Sequence, residues 1–199
     1  GGAKRAAEVS RAAVINAGDG MGQHPTQALL DLYTIKKERG QIDGLTIGIV
    51  GDLARGRTVR SLSYLLGKFS NITIHYISSP KVLGIREDIK DYLKRHGVQV
   101  TEGNNLRIVA PKVDVIYQTR IQKERGTFLE NDGEMADFSI VNQEILDLMK
   151  KDAIIMHPLP RVDEIASEVD KDHRAAYFRQ AENGLYVRMA LLKIILAGG

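Results

Sequence analysis

Four short stretches carry residues whose types and spacing could do chemistry. In "INAGDGMGQHPTQALLDL" His24 stands directly before Pro25, with Gln27 one turn further into a helix-forming run. A proline suits the first turn of a helix, and glycines at 18, 20 and 22 permit a tight backbone before it. An imidazole at such a helix mouth, neutral or protonated, can donate a hydrogen bond to a carbonyl oxygen that gains charge during attack. The competing reading is a histidine that only caps the helix. In "GDLARGRTVRSL" Arg57 falls at a helix start, where free N–H groups and the positive end of the helix dipole already favour a carboxylate or phosphate. In "TRIQKER" an extended backbone places Arg120 and Gln122 on one side. A guanidinium fork beside an amide suits a carboxylate and a neighbouring polar group, and Glu124, in the same alternation, can hold Arg120. In "HPLPR" Pro158 and Pro160 flank Leu159 and leave carbonyls without ladder partners, rigid and able to receive an amine. That stretch also reads as a plain strand-ending turn with His157 buried or capping.

Other chemistries lack their signatures. Neither "GDGMGQ" nor "GDLARG" is a G-x-G-x-x-G following a strand, and no G-K-[ST] occurs, which argues against dinucleotide and P-loop sites and against an oxidoreductase domain. The five histidines, His24, His75, His96, His157 and His173, have no metal-ligand spacing, and without cysteine there is neither a disulfide framework nor a thiolate nucleophile. The net charge of +3 comes from basic residues interleaved with acids, as in "REDIKDYLKR", so small anions are the expected ligands and nucleic acid is not. No apolar run approaches the length of a membrane span, and "GGAKRAAEVS" is not a signal peptide; the expected compartment is the cytoplasm, with no membrane partner.

These residues need a scaffold, and the hydrophobic pattern supplies one. Leu45 to Val50, Ile72 to Ser78, Val98 to Thr101, Val113 to Gln118 and Ala153 to His157 read as five strands, with helical runs between most of them. Ala28 to Arg39 places Leu29, Leu32, Tyr33 and Ile35 on one side and ends at Gly40; Thr58 to Phe69 and Glu87 to Arg95 follow the same period. "NNLRIVAPK" has room for a short helix only, Asn142 can cap "QEILDLMKK", and the closing helical run from Ala176 contains a possible break at Gly184. The alternation predicts an α/β fold: one domain over residues 1–199, a doubly wound, mostly parallel sheet with helices on both faces. In such sheets ligands bind beyond the carboxyl ends of the strands. The Arg- and Pro-rich stretches follow strands one, four and five, and they converge if the strand order is 3-2-1-4-5.

The stretches "INAGDGMGQHPTQALLDLYTI", "IGIVGDLARGRTVRSL", "TRIQKER", "MHPLPRVDEI" and "AAYFRQAENGLYVRMALL", in this order and over nearly the whole chain, resemble the aspartate-binding half of the aspartate carbamoyltransferases. The resemblance implies carbamoyl transfer from carbamoyl phosphate to L-aspartate in pyrimidine biosynthesis, without a cofactor. It implies that His24 meets the carbamoyl carbonyl oxygen and Gln27 the carbamoyl amino group. Arg57, Arg120 and Gln122 would hold the aspartate carboxylates, Leu159 and Pro160 would offer backbone carbonyls, and Glu124 and Arg125 would support closure. The related ornithine enzymes typically carry a Cys in place of Pro in the second His motif, so His157-Pro158-Leu159-Pro160 favours aspartate. The family's Ser-Thr-Arg-Thr-Arg phosphate motif, from its carbamoyl-phosphate-binding half, does not occur in these 199 residues. That half and trimer neighbours are therefore the implied partners, and the 199 residues by themselves are expected to turn over weakly or not at all. Gly126 stands where the family usually has Phe, and "SRAAVIN" lacks the usual Pro. The alternative is a non-catalytic dicarboxylate-binding or scaffold domain derived from such an enzyme.

Overall fold

The computed structural model describes residues 1–78, 84–120 and 140–197. In chain order these form α1 (Gly2–Val9), α2 (Pro25–Arg39), β1 (Thr46–Val50), α3 (Arg57–Leu66), β2 (Thr73–Ile77), α4 (Glu87–Arg95), β3 (Gln99–Gly103), α5 (Leu106–Val109), β4 (Val115–Gln118), α6 (Gln143–Leu148), β5 (Ile154–Met156), a 3-10 turn (Ser167–Lys171) and α7 (Tyr177–Leu196). The five strands lie in one sheet in the order β3-β2-β1-β4-β5, and every pair is parallel. The expected strand order and fold class are those found.

The sequences of β1, β4 and β5 are apolar almost throughout because both faces of the sheet are covered there, whereas the edge strand β3 is polar and largely exposed. Ile47 and Ile49 of β1, Val115 and Tyr117 of β4, and Ile154 and Met156 of β5 enter one core with Leu32, Ile35, Val59 and Leu62. The intervening Val50, Ile116 and Ile155 enter a second core with Leu106, Ile145 and Tyr177. Helix ends follow local chemistry: Gly40 closes α2 at φ 76°, and the Asn142 side chain accepts from the Ile145 N–H at 3.2 Å to start α6. Among the described residues no helix is long and apolar enough to cross a membrane.

Two expectations about the helices are corrected. On α2, Leu29 and Tyr33 are 38% and 44% exposed, whereas the polar Thr26, Gln27, Asp31 and Thr34 are buried. The helix packs on α3 and α7, and its polar residues find partners there: the Thr34 hydroxyl donates to the Leu30 carbonyl and accepts from Asn183 Nδ2 of α7. The closing helix, for its part, runs unbroken through Gly184. A Cβ there would come within 3.2 Å of Leu30 Cδ2 and closer still to the Arg188 guanidinium, so the glycine serves the close approach of α7 to α2 and marks no break.

Candidate active site

Register brings the three informative strand ends level. Val50 pairs with Gln118 and Tyr117 with Met156, so the segments starting at Gly51, Thr119 and His157 leave the sheet side by side. Gly51 has φ 117°, and the Thr119 backbone fills the space its side chain would need. The Thr119 hydroxyl and N–H both donate to the Val50 carbonyl, at 2.8 and 2.9 Å.

After β1, the Asp52 carboxylate accepts from the Arg55 N–H at 3.0 Å and the Asp52 carbonyl from the Gly56 N–H at 3.1 Å. This turn delivers Arg57 to the first position of α3. The glycine-rich loop from 18 to 23 closes on itself when Asp19 Oδ1 accepts from the Gln23 N–H at 2.5 Å, and it is tied to α3 when the His24 N–H donates to Ser61 Oγ at 2.8 Å. Gly18, at φ 121°, is where the Arg57 guanidinium lies: Nη1 is 2.7 Å from the position a Cβ would occupy. The glycine makes room for an arginine.

His24 is the N-cap of α2 and half-buried. Burial, reinforced by the positive charges of Arg57 and Arg188, lowers its pKa to about 4. The ring is thus neutral at physiological pH. Thr26 Oγ1 lies 3.5 Å from Nδ1; in the tautomer that accepts the hydroxyl proton there, the ring proton sits on Nε2 and that nitrogen is the donor.

After β5, His157 is buried, with 1% of its surface exposed. Its Nδ1 accepts from the Leu159 N–H at 2.8 Å, so the ring proton is on Nε2, which donates to Glu164 Oε1 at 2.8 Å. Glu164 Oε2 takes the Val162 and Asp163 N–H groups at 3.1 and 3.2 Å. Burial opposes ionisation of Glu164, but the hydrogen bonds from His157 and the backbone outweigh it and hold the carboxyl below the usual glutamate range. His157 is therefore a turn-holding residue, and the turn it holds presents Leu159 at φ 52° followed by Pro160.

His24, Gln27, Arg57, Arg120, Leu159 and Pro160 line one cavity of about 220 Å³, together with Gly56, Thr58, Thr119, His157 and Pro158. The sequence-predicted residues that the structure describes are thus brought to one cleft. Gln122, Glu124 and Arg125 lie outside the described residues. Sequence reasoning missed the layer beneath. Asp31 is fully buried and accepts from Gln27 Nε2 at 2.8 Å, Gln180 Nε2 at 2.6 Å and the Tyr117 hydroxyl at 2.8 Å. The available signal was the Gln27–Asp31 spacing of four, which puts both on one face of a helix. Among the described residues no cluster of His, Asp and Glu could hold a metal ion.

The cleft can bind an anion along Arg57 and Arg120, donate a hydrogen bond from a neutral imidazole, and accept an amine at the 159–160 turn. Comparison with known proteins places the chain in a family. Residues 43–195 match the family model "Aspartate/ornithine carbamoyltransferase, Asp/Orn binding domain", and residues 2–37 match that of the carbamoyl-P binding domain of the same family. Over 199 residues the chain is 56% identical to aspartate carbamoyltransferase 1, chloroplastic, of Pisum sativum, covering all of this chain and 51% of that protein. It is 52% identical to the aspartate carbamoyltransferase catalytic subunit of Thermococcus kodakarensis, over 98% of this chain and 63% of that one. The catalytic subunit of M. jannaschii aspartate transcarbamoylase superposes with a TM-score of 0.91 at 45% identity, over 99% of this chain and 63% of that chain. Aspartate transcarbamoylase from Trypanosoma cruzi, in complex with N-(phosphonacetyl)-L-aspartic acid, superposes with a TM-score of 0.85 at 40% identity, over 95% and 59%. The chain spans about half the length of the plant relatives it matches.

Proposed function

The chain belongs to the aspartate/ornithine carbamoyltransferase family, and on that premise we propose that it supplies the aspartate-binding side of an aspartate carbamoyltransferase of pyrimidine biosynthesis. The aspartate α-amine attacks the carbamoyl carbon of carbamoyl phosphate, the C–O bond to phosphate breaks, and N-carbamoyl-L-aspartate and phosphate leave. Arg57 and Arg120 hold the aspartate carboxylates, with Gln122 beside them and Glu124 and Arg125 in support. His24 donates to the carbamoyl oxygen as it gains charge, and Gln27 meets the carbamoyl NH2. The Leu159 and Pro160 carbonyls receive the amino groups at the reacting centre. None of these steps calls for a cofactor. Holding the two reactants in line is the main contribution, a term that reaches roughly 7–11 kcal/mol of barrier in well-oriented systems.

The observation that carries this reading is the convergence of His24, Gln27, Arg57, Arg120 and the 159–160 turn on one cleft. Aspartate is chosen over ornithine on His157-Pro158-Leu159-Pro160, and two guanidinium groups facing the cleft suit a dicarboxylate better than a cationic side chain. Residues 1–199 act on this reading as one aspartate-binding unit: α2 lies in the stretch that matches the carbamoyl-P domain model, yet packs on α3 and α7. A carbamoyl-phosphate-binding half and trimer neighbours complete the enzyme. The compartment we propose is the cytoplasm, tested by imaging the tagged protein, since the Pisum sativum relative is named chloroplastic. For the activity, the 199-residue chain is assayed for N-carbamoyl-L-aspartate with and without a separately expressed carbamoyl-phosphate-binding half. Product that requires both, and that His24→Ala abolishes, is expected; no product from the pair would overturn the reading.

A further inference from the structure

The buried carboxylate beneath the cleft has a directional consequence. Asp31 Oδ1 accepts from two carboxamides at once, Gln27 at 2.8 Å and Gln180 at 2.6 Å, and Oδ2 accepts from Tyr117 at 2.8 Å. Neither carboxamide can turn over. The Gln180 oxygen is already committed to the His157 N–H at 2.8 Å, and a flipped Gln27 would set its oxygen against a carboxylate oxygen at hydrogen-bond distance. Nitrogen and oxygen occupy opposite corners of a planar carboxamide. With its nitrogen held by Asp31, Gln27 offers its oxygen to the cleft it lines. We propose that Asp31 is a positioning residue: it fixes the Gln27 carboxamide oxygen toward the cleft and so makes this corner select a hydrogen-bond donor, the NH2 of a carbamoyl group, over an isosteric methyl.

The inference rests on the proposed carbamoyl chemistry only for the identity of the ligand. The geometry concerns Asp31 and Gln27 themselves. The groups facing Asp31 are Gln27 on its own helix, Tyr117 from β4, and Gln180 and Arg188 from α7. Burial raises its pKa to about 6, against the hydrogen bonds from Tyr117, Gln180 and Gln27 and the charge of Arg188. At neutral pH Asp31 is therefore ionised and accepts only. The same carboxylate is linked through Gln180 to the His157 backbone, so it ties Gln27 to the turn that carries Leu159 and Pro160.

The test compares N-carbamoyl-L-aspartate with N-acetyl-L-aspartate, which differ by NH2 against CH3, as ligands of the wild-type chain, Asp31→Asn and Asp31→Leu, by NMR titration. The wild type is expected to prefer the carbamoyl ligand roughly three- to tenfold, the worth of one neutral hydrogen bond. Asp31→Leu should bring the ratio to about one while the acetyl ligand binds within about twofold of wild type. Asp31→Asn keeps an acceptor for Gln27, with the Tyr117 hydroxyl turning to accept from Nδ2, and should keep most of the preference. An unchanged ratio in Asp31→Leu, or equal losses for both ligands, would overturn the proposal. The side-chain NH2 resonances of Gln27 in the ligand-free chain separate this from the function. Their shifts should follow Asp31 through a midpoint near pH 6 and lose that dependence in Asp31→Leu. If neither ligand binds the wild type but this dependence holds, the assigned substrate falls and the positioning stands; if the Gln27 signals ignore Asp31, the positioning falls.

Discussion

Beneath the cleft, Gln27, Asp31, Gln180, His157 and Glu164 form a hydrogen-bonded chain running from α2 through α7 to the turn after β5. Along the rim, Arg57 and Arg120 stand half-buried at the strand ends, and Arg57 meets no carboxylate among the described residues. The floor is satisfied by the protein itself; at the rim, Arg57 carries charge for something else to satisfy. The difference separates two tasks that one cleft performs. Groups that must already point correctly when a reaction begins are locked by neighbours before any ligand arrives. Groups that capture a charged substrate keep their capacity open, because a guanidinium already paired with a carboxylate gains little from a second one.

Damage to the floor should therefore appear as lost stability and damage to the rim as lost affinity. The largest effect is expected at Glu164. Glu164→Ala orphans the buried His157 Nε2–H, and a buried unsatisfied donor costs about 1–3 kcal/mol; it also removes the acceptor of the Val162 and Asp163 N–H groups, which belong to exposed residues and can turn to water. Urea denaturation should show a loss of up to about 3 kcal/mol, whereas an unchanged midpoint would mean that the turn holds without the histidine pair. Next come Arg57→Ala and Arg120→Ala. Each removes a charge-assisted contact worth about 1.5–3 kcal/mol, so succinate affinity should fall roughly ten- to hundredfold, and in Arg57→Ala stability should stay within about 0.5 kcal/mol. A rim variant that unfolds the protein without weakening succinate would erase the distinction.

Gly18→Ala tests the seam between the two regions. The new Cβ meets Arg57 Nη1 at 2.7 Å and sits on a backbone with φ 121°, where a side chain is strained by about 1–3 kcal/mol. A guanidinium is the far end of a flexible chain and can move aside. Succinate affinity is expected to drop less than in Arg57→Ala, with a modest stability loss measured in the same denaturation series. An affinity equal to wild type would show that Arg57 does not need its seat against the loop.

Much of this was legible in the sequence, and the rest was hidden for a definite reason. Strands buried on both faces spell themselves as Val- and Ile-rich runs, and residues after those runs land at one end of a parallel sheet, so the strand order and the cleft could be read in advance. The floor could not. Thr26, Gln27, Asp31 and Thr34 have the spacing of a solvated helix face, and what buries them is α7, whose Gln180 and Asn183 are each 149 residues from their partners. Gly184 misled in the same way, since a glycine within a helix reads as a break until Leu30 of α2 is seen beside it. His157 kept two readings open because its role depends on Glu164, whose approach only the folded turn reveals.

The smallest expected effect, and the one that tests whether rim and floor communicate, is the titration of His24. Burial is the first cause of its lowered pKa, and the charges of Arg57 and Arg188 are the second and third. The folded value of about 4 lies below the ordinary 6.5. Below pH 6.5 the unfolded chain thus takes up a proton that the folded chain refuses, and the stability that His24 contributes above that pH is lost as pH falls toward 4. Asp31 runs the other way: its folded value of about 6 exceeds the ordinary 3.8, so its ionisation penalty is full above pH 6 and fades toward 3.8. The two slopes oppose each other between about pH 4 and 6, and a global stability curve will show little of either. The imidazole Cε1–H shift of His24 isolates one of them. Its midpoint should lie near 4, and the affinity for N-carbamoyl-L-aspartate should show no His24-dependent step between pH 8 and 5.5. Arg57→Ala should raise that midpoint only part of the way toward 6.5, because burial, the larger cause, remains. A midpoint near 6.5 in the wild type would mean that His24 is solvated and charged in mild acid, and its role as a neutral donor would fall. A full return to 6.5 in Arg57→Ala would instead make the rim arginine, not the floor, the source of the shift.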